Sequence, residues 1–233
     1  MRLAKQITFG FIFLLIAGFF SWFVYVNFIQ PPPSCFDNKK NQNETGVDCG
    51  GPCTPCEIKY LKEIQVSQGW PKWFKTADSA SGIIAEIYNP NPDWAAVSFS
   101  YQFDIKDQFG SLLKTVSGNS FIYGGELKYL IEPVVNVDLK KITSVDLKIS
   151  NPKWVSINDF KKPEVEIQDI KTEKKDMLYV SGKAVNRSEF DFKNTIVYAL
   201  VYNKNGEFLA ASRTIIDSLD KFSSSNFKIS FGP

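Results

Sequence analysis

Four cysteines, Cys35, Cys49, Cys53 and Cys56, stand as C-x13-C-x3-C-x2-C within 22 residues. Thiols so close together can do three things: pair as disulfides, hold zinc as four thiolates, or cycle as a redox dithiol. Cys53-Thr54-Pro55-Cys56 has the C-x-P-C form of redox motifs, in which the pair opens a helix after a strand and one thiol pKa falls. Here the pair follows a Gly50-Gly51-Pro52 loop with two more cysteines nearby, so a bracing role is expected. Zinc is disfavoured on an oxidising side of a membrane, where thiols pair. Of the three possible pairings, one joins Cys53 to Cys56 through a very small loop. The reading therefore leans to Cys35–Cys53 with Cys49–Cys56, and the remaining arrangement stays open.

The oxygen-rich loop between the cysteines offers a second chemistry. Asp37, Asn41, Asn43 and Asp48, with Asn38 and Glu44 nearby, are candidate ligands for Ca²⁺, which takes six to eight oxygens. Counted as an EF-hand from Asp37, however, Lys39 falls on the third position and no Gly on the sixth. A solvated, Asn-rich turn is the plainer reading, and no other cofactor is expected. The chain has no histidine, which excludes Ser-His-Asp and Cys-His catalysis and any His-ligated metal. Paired carboxylates Glu164/Glu166 and Asp217/Asp220 read as solvated faces, and Lys171–Asp176 as a charged hairpin tip. No catalytic residue is assigned. Trp70, Trp73 and Phe74 form an aromatic loop that suits either a binding surface or a core, whereas Trp94 and Trp154 are expected in the core.

The elements that must carry these residues follow from hydropathy. Ile7 to Ile29 is free of charge over 23 residues, long enough as a helix to cross ~30 Å of hydrocarbon. Trp22 and Tyr25 lie toward its far end, where amphipathic rings favour headgroups, and Arg2 and Lys5 mark the near end as cytoplasmic. The run is too long for a signal-peptide core, and Asn27-Phe28-Ile29-Gln30 before Pro31-Pro32-Pro33 is a poor cleavage site. The lipoprotein box and the pilin leader also fail, at Pro32-Pro33-Ser34-Cys35 and at Leu15. An uncleaved signal anchor follows, with lipid as partner through residues 7–29 and the bulk of the chain extracytoplasmic. Beyond Lys5, the 27 Lys+Arg fall to 25 against 25 Asp+Glu, which gives nucleic acid no electrostatic purchase.

From Ile58 onward the pattern is strand and turn. Val97, Phe99, Tyr101, Phe103 and Ile105 alternate with polar residues, as do Val145, Leu147 and Ile149. Asn194–Tyr202 is apolar on both faces and reads as a central strand. Two landmarks recur: Ile87-Tyr88-Asn89 against Ala184-Val185-Asn186, 97 residues on, and Asp107-Gln108-Phe109-Gly110 against Asn203-Lys204-Asn205-Gly206, 96 residues on. Repetition of one plan predicts two tandem β-sandwiches. The expected organisation is a cytoplasmic tail 1–6, anchor 7–29, Pro/Cys-rich stalk 30–57, first sandwich 58–160 and second sandwich 161–233. The fold class is all-β: two antiparallel sandwiches behind one transmembrane helix. Val180, Val185, Ile196, Leu200, Leu209 and Phe227 are the expected core of the second.

Two resemblances sharpen this. The segment Cys35–Cys56, through Asp48-Cys49-Gly50-Gly51 and the two later cysteines, resembles a short Cys-rich module of bacterial and other surface proteins. Gly182-Lys183-Ala184-Val185-Asn186-Arg187-Ser188 and Val201-Tyr202-Asn203 are similar to the FxLYD family of extracytoplasmic immunoglobulin-like domains, and Phe103 and Asp107 keep part of that pattern. Asn89-Pro90-Asn91-Pro92 also looks like the turn of the late-embryogenesis-abundant β-sandwich. The resemblance implies an Ig-like fold and a surface address, and no catalytic residues. The expected function is a non-enzymatic membrane-anchored surface protein whose two domains bind a protein partner or serve the envelope. The alternatives are an accessory subunit of a membrane-embedded secretion or pilus-type complex, and an extracytoplasmic thiol oxidoreductase acting through Cys53 and Cys56.

Overall fold

The computed structural model describes residues 2–26, 34–77 and 80–232 of the chain. The expected proline spacer Pro31–Pro33, and Asn27–Ile29 at the end of the expected anchor, lie outside the described residues. Helix α1 runs Arg2–Val24, and its stretch Gln6–Val24 is long and apolar enough to cross a membrane. Leu14, Leu15, Ile16, Phe19 and Trp22 all stand exposed on it, as lipid-facing side chains would. A second helix, α2, is a single turn at Cys56–Lys59. Residues 1–61 and 62–233 form two separate compact units.

The larger unit is built of antiparallel strands: β1 Gln65–Val66, β2 Lys72–Ala77, β3 Ala80–Tyr88, β4 Trp94–Lys106, β5 Leu112–Ile122, β6 Leu127–Glu132, β7 Ser144–Ser156, β8 Val165–Lys174, β9 Leu178–Asn186, β10 Phe192–Tyr202, β11 Phe208–Leu219 and β12 Ser224–Phe231. The all-β expectation therefore describes it. Four sheets result: β5-β4-β7, then β3 flanked by β2 and β6 with β1 beside it, then β10-β11, then β12-β9-β8.

Three apolar layers separate these sheets. The first lies between β5-β4-β7 and the β3 sheet, and is filled by Phe99, Phe103, Ile105, Ile83, Ala85, Ile87, Ile122 and Leu130. Alternation on β4 placed Phe99, Tyr101, Phe103 and Ile105 correctly, but a register shift before Phe99 puts Ala96 in the layer in place of Val97; Trp154 packs against the same layer. Trp94 is half-buried, and its carbonyl accepts a hydrogen bond from Asn89 Nδ2. A layer between β10-β11 and β12-β9-β8 holds Ala184, Val197, Ile216, Leu219, Phe227, Ile229 and Phe231. The middle layer joins the two halves: Phe74, Ile84 and Ile131 meet Ala211, with Tyr198, Leu200 and Phe208 packed on them.

That middle layer changes two expectations. Strand β10 is not central; among the described residues it pairs only with β11. It is apolar on both faces because Val197, Ala199 and Val201 face one apolar layer and Tyr198 and Leu200 face the next. Of the residues expected in the second core, Phe227 is buried there, but Ile196 and Leu209 are exposed and Leu200 belongs to the middle layer. Reading one face of a two-faced strand selected the wrong alternate residues.

The recurring landmarks make the same bonds in both halves. Asn89 is fully buried; its Nδ2 donates to the carbonyls of Trp94 and Tyr123, and its Oδ1 accepts from Asn91 N. Asn186 is likewise buried; its Nδ2 donates to the carbonyls of Phe190, Leu219 and Asp220, and its Oδ1 accepts from Ser188 N. Asp107 Oδ1 accepts from Phe109 N and Ser111 N, and Asn203 Oδ1 from Asn205 N and Glu207 N. Gly110 and Gly206 close these turns at φ +76 and +80, where any side chain would be strained.

Aromatic rings also lie over directly paired glycines: Phe74 over Gly82, Tyr101 over Gly118 and Phe227 over Gly182. On the outer face of β4, Asp104 binds Lys148 Nζ at 2.7 Å and accepts from Gln102 Nε2 and Thr115 Oγ1. Lys148 and Gln102 hold its carboxyl down at about 2.

Two outcomes are expected. Phe74→Ala empties the middle layer beside Gly82 and should cost ~3–5 kcal/mol, since the ring is almost wholly buried. Denaturant melting followed by tryptophan fluorescence checks this; because Phe208 of the other half packs on the same ring, both halves should lose stability together. For Asp104, the folded carboxyl lies below its unfolded value of ~3.9, so its contribution is present above pH ~4 and is lost as pH falls toward 2. Asp104→Asn should flatten the acid limb of a melting-temperature profile across that window.

Candidate functional site

The cysteine module, residues 34–60, has almost no apolar core, so covalent bonds and polar turns must order it. All four sulfurs are paired, as Cys35–Cys53 and Cys49–Cys56. Between them Gly50 N donates to Thr54 O and Cys53 N to Gly50 O, folding the Gly50-Gly51-Pro52 loop back on itself. Gly46 N donates to Cys49 O, and a Cβ on Gly46 would collide with the Cys49 and Cys56 sulfurs. With every sulfur in a disulfide there is no thiolate set for zinc. The grouping of Cys35, Glu44 and Cys53 within ligand distance is a carboxylate beside a disulfide.

The carboxylates act as braces for the backbone. Glu44, buried, accepts from Asn41 N and Asp48 N through Oε2. Asp48 Oδ1 accepts from Asp37 N and Asn38 N at 3.0 Å each. Asp37 accepts from Lys39 N and from Asn41 Nδ2, and the Asn41 donor holds its carboxyl below the usual range. Of the candidate Ca²⁺ ligands, the structure thus brings Asp37, Asn41 and Asp48 together around amide donors. Asn43 stands exposed at φ +63, its carbonyl against Gly51. A cation would have to compete with amide hydrogens for the oxygens of Asp37 and Asp48.

The aromatic loop is turned inward. Phe74 is almost completely buried, Trp73 packs on the first apolar layer, and Trp70 meets Tyr129 and Phe208 edge-on at 5.7 and 5.6 Å. Lys72 Nζ lies 4.7 Å from the Trp70 ring centroid. These three residues form internal packing and not an exposed aromatic patch.

A further group was not singled out in the sequence. Phe160 stacks on Tyr123 at 4.8 Å, Phe121 meets both edge-on, and Lys128 Nζ lies 3.4 Å from the Phe121 ring centroid. Burial pushes the Lys128 ammonium down to about 8. Lys162 pairs with Glu126 at 3.0 Å beside them. Together they fasten the segment after β7 to the end of β5 and the start of β6; the spacing from Phe121 to Phe160 gives no local pattern to find them by. One carboxylate of each pair is also engaged structurally: Glu166 binds Arg187, and Asp220 accepts from Ser218 Oγ.

No family model matches this chain, and no curated protein matches it.

Reduction gives the test of the module. Protein purified without reductant should show no reactive thiol to alkylation. Reductant should make residues 34–60 protease-sensitive while Lys62–Pro233 melts unchanged, because closing these two loops contributes only ~2–4 kcal/mol and does so locally. A readily alkylated Cys53 would contradict this.

Proposed function

We propose that this chain is a non-enzymatic, single-pass membrane-anchored surface protein that presents two Ig-like β-sandwiches to a protein partner outside the cytoplasm. The observation that carries the reading is the joint presence of an apolar N-terminal helix and a small module held by two disulfides. Disulfides of this kind form and persist on the oxidising side of a membrane, and Arg2 and Lys5 before the apolar run favour a cytoplasmic N-terminus. The shared bonding of Asn89 with Asn186, and of the Asp107 and Asn203 turns, supports the tandem and FxLYD-like reading. The pairing of every cysteine in a disulfide, and the structural bonds of Glu166 and Asp220, support a non-enzymatic role.

Topology mapping tests the proposal. In intact cells, external protease should remove the bulk of the chain while a fragment bearing the original N-terminus stays in the membrane fraction. A mature chain beginning near Ser34 or Cys35, or a bulk protected until the membrane is opened, would overturn it.

A further inference from the structure

The chain carries two Asn-x-Ser/Thr triplets, Asn43-Glu44-Thr45 and Asn186-Arg187-Ser188. Such a triplet is the acceptor for glycosylation of the asparagine amide on a surface loop outside the cytoplasm. An amide nitrogen is a poor nucleophile, because its lone pair is shared with the carbonyl. The transferase therefore has to seat it by binding the Ser or Thr hydroxyl two residues on, and both groups must lie within reach. The fold treats the two triplets oppositely.

Asn186 is 1 % exposed, and its amide is fully used. Nδ2 donates to the carbonyls of Phe190, Leu219 and Asp220, and Oδ1 accepts from Ser188 N and Ser188 Oγ. A sugar on that nitrogen would stand where main chain now packs and would break bonds that bury the amide without penalty. The turn also explains the triplet. In the first half Asn91 takes the place of Ser188, its N and Nδ2 donating to Asn89 Oδ1, so the same device forms there without a hydroxyl.

Asn43 is the reverse case. It stands exposed at φ +63, a left-handed conformation that Asn tolerates, and its side chain takes no part in the bonds that brace the module. Glu44 beside it is buried and accepts from Asn41 N and Asp48 N, while Asn43 and Thr45 on either side of it are both exposed. The Thr45 hydroxyl lies 3.3 Å from Cys56 Sγ, a weak partner that a stronger one can displace. The triplet follows Ile29, the end of the expected anchor, by 14 residues. Amide and hydroxyl are thus both presented, and the fold uses neither strongly.

We propose that Asn43 is glycosylated, by transfer of a glycan from a lipid-linked diphosphate donor. Asn43 Nδ2 attacks C1 of the first sugar. The N–C1 bond forms as the bond from C1 to the diphosphate oxygen breaks, the lipid diphosphate leaves with that electron pair, and one Nδ2 hydrogen departs as a proton to a base of the transferase. The proposal rests on the reading that places the cysteine module outside the cytoplasm, and goes beyond it.

The test uses the full chain purified from the membranes of its native cells, with peptide mass spectrometry as the readout. The peptide bearing Asn43 should be heavier than its sequence by one or more sugar residues, and the peptide bearing Asn186 should carry none. Thr45→Val, which keeps the side-chain shape and removes the hydroxyl, should abolish the added mass, as should Asn43→Gln; Thr45→Ser should retain it. Thiol labelling checks that each variant keeps both disulfides, and where one does not, the mass of the unaltered chain decides alone. External protease on the same cells separates this proposal from the one it rests on. An unmodified Asn43 in a chain whose bulk is cut from outside overturns the glycan and leaves the anchored topology standing. A bulk protected from the protease overturns the topology, and the glycan with it. Sugar that persists in Thr45→Val, or that sits on Asn186 instead, would also overturn the proposal.

Discussion

The β3 sheet is covered on both faces, and the rest of the larger unit follows from that constraint. Ile83, Ala85 and Ile87 point to one apolar layer while Ile84 points to the other, so the middle of the strand, Ile83–Ala85, has no solvent face and is apolar at every position. Its second covering is supplied by β10 and β11, through Ala211, Leu200 and Phe208. Were the two halves separate, Phe74, Ile84 and Ile131 would form an exposed apolar patch, of a kind that monomers keep small. Joining the halves removes that patch, and places Trp70 and Lys72 at the edge of the junction in an aromatic and cation–π cluster.

Polar groups then fix what the apolar layers cannot. A buried amide side chain costs free energy unless each of its donors and acceptors is met, and both Asn89 and Asn186 meet that condition by bonding to main chain from two segments. Each holds the loop after its own strand against the loop before the last strand of its sheet. Apolar contact is non-directional, so this hydrogen bonding sets where the loops lie.

Much of this was legible in the residues. The period-two pattern of Phe99–Ile105 identified the inner face of β4, the turns at Asp107–Gly110 and Asn203–Gly206 were visible from their Asp/Asn and Gly, and loop size excluded one disulfide pairing of three, with the observed one favoured of the two left open. The middle layer was not legible. A strand covered by two apolar layers and a strand central in its sheet write the same pattern, so β10 was expected in the wrong place and Leu200 in the wrong layer. Trp70, Trp73 and Phe74 were ambiguous for the same reason, since a surface that meets another protein and one that meets the chain's own second half have one composition. The oxygen-rich loop suggested a metal from residue type alone; bond direction, which sequence does not carry, shows its carboxylates facing amides.

The three rings lying over glycines have a consequence for how strands find their partners. Phe74, Tyr101 and Phe227 each occupy the space in which a paired residue's Cβ would stand, and a Cβ on Gly82, Gly118 or Gly182 would fall 2.4–2.7 Å from ring atoms. A shift of one residue along any of these ladders would drive a methyl or larger group into the ring and turn every other side chain to the wrong face. Each ring and glycine thus act as a key and its notch, placed once per ladder, and the chain proofreads its own strand alignment as it folds.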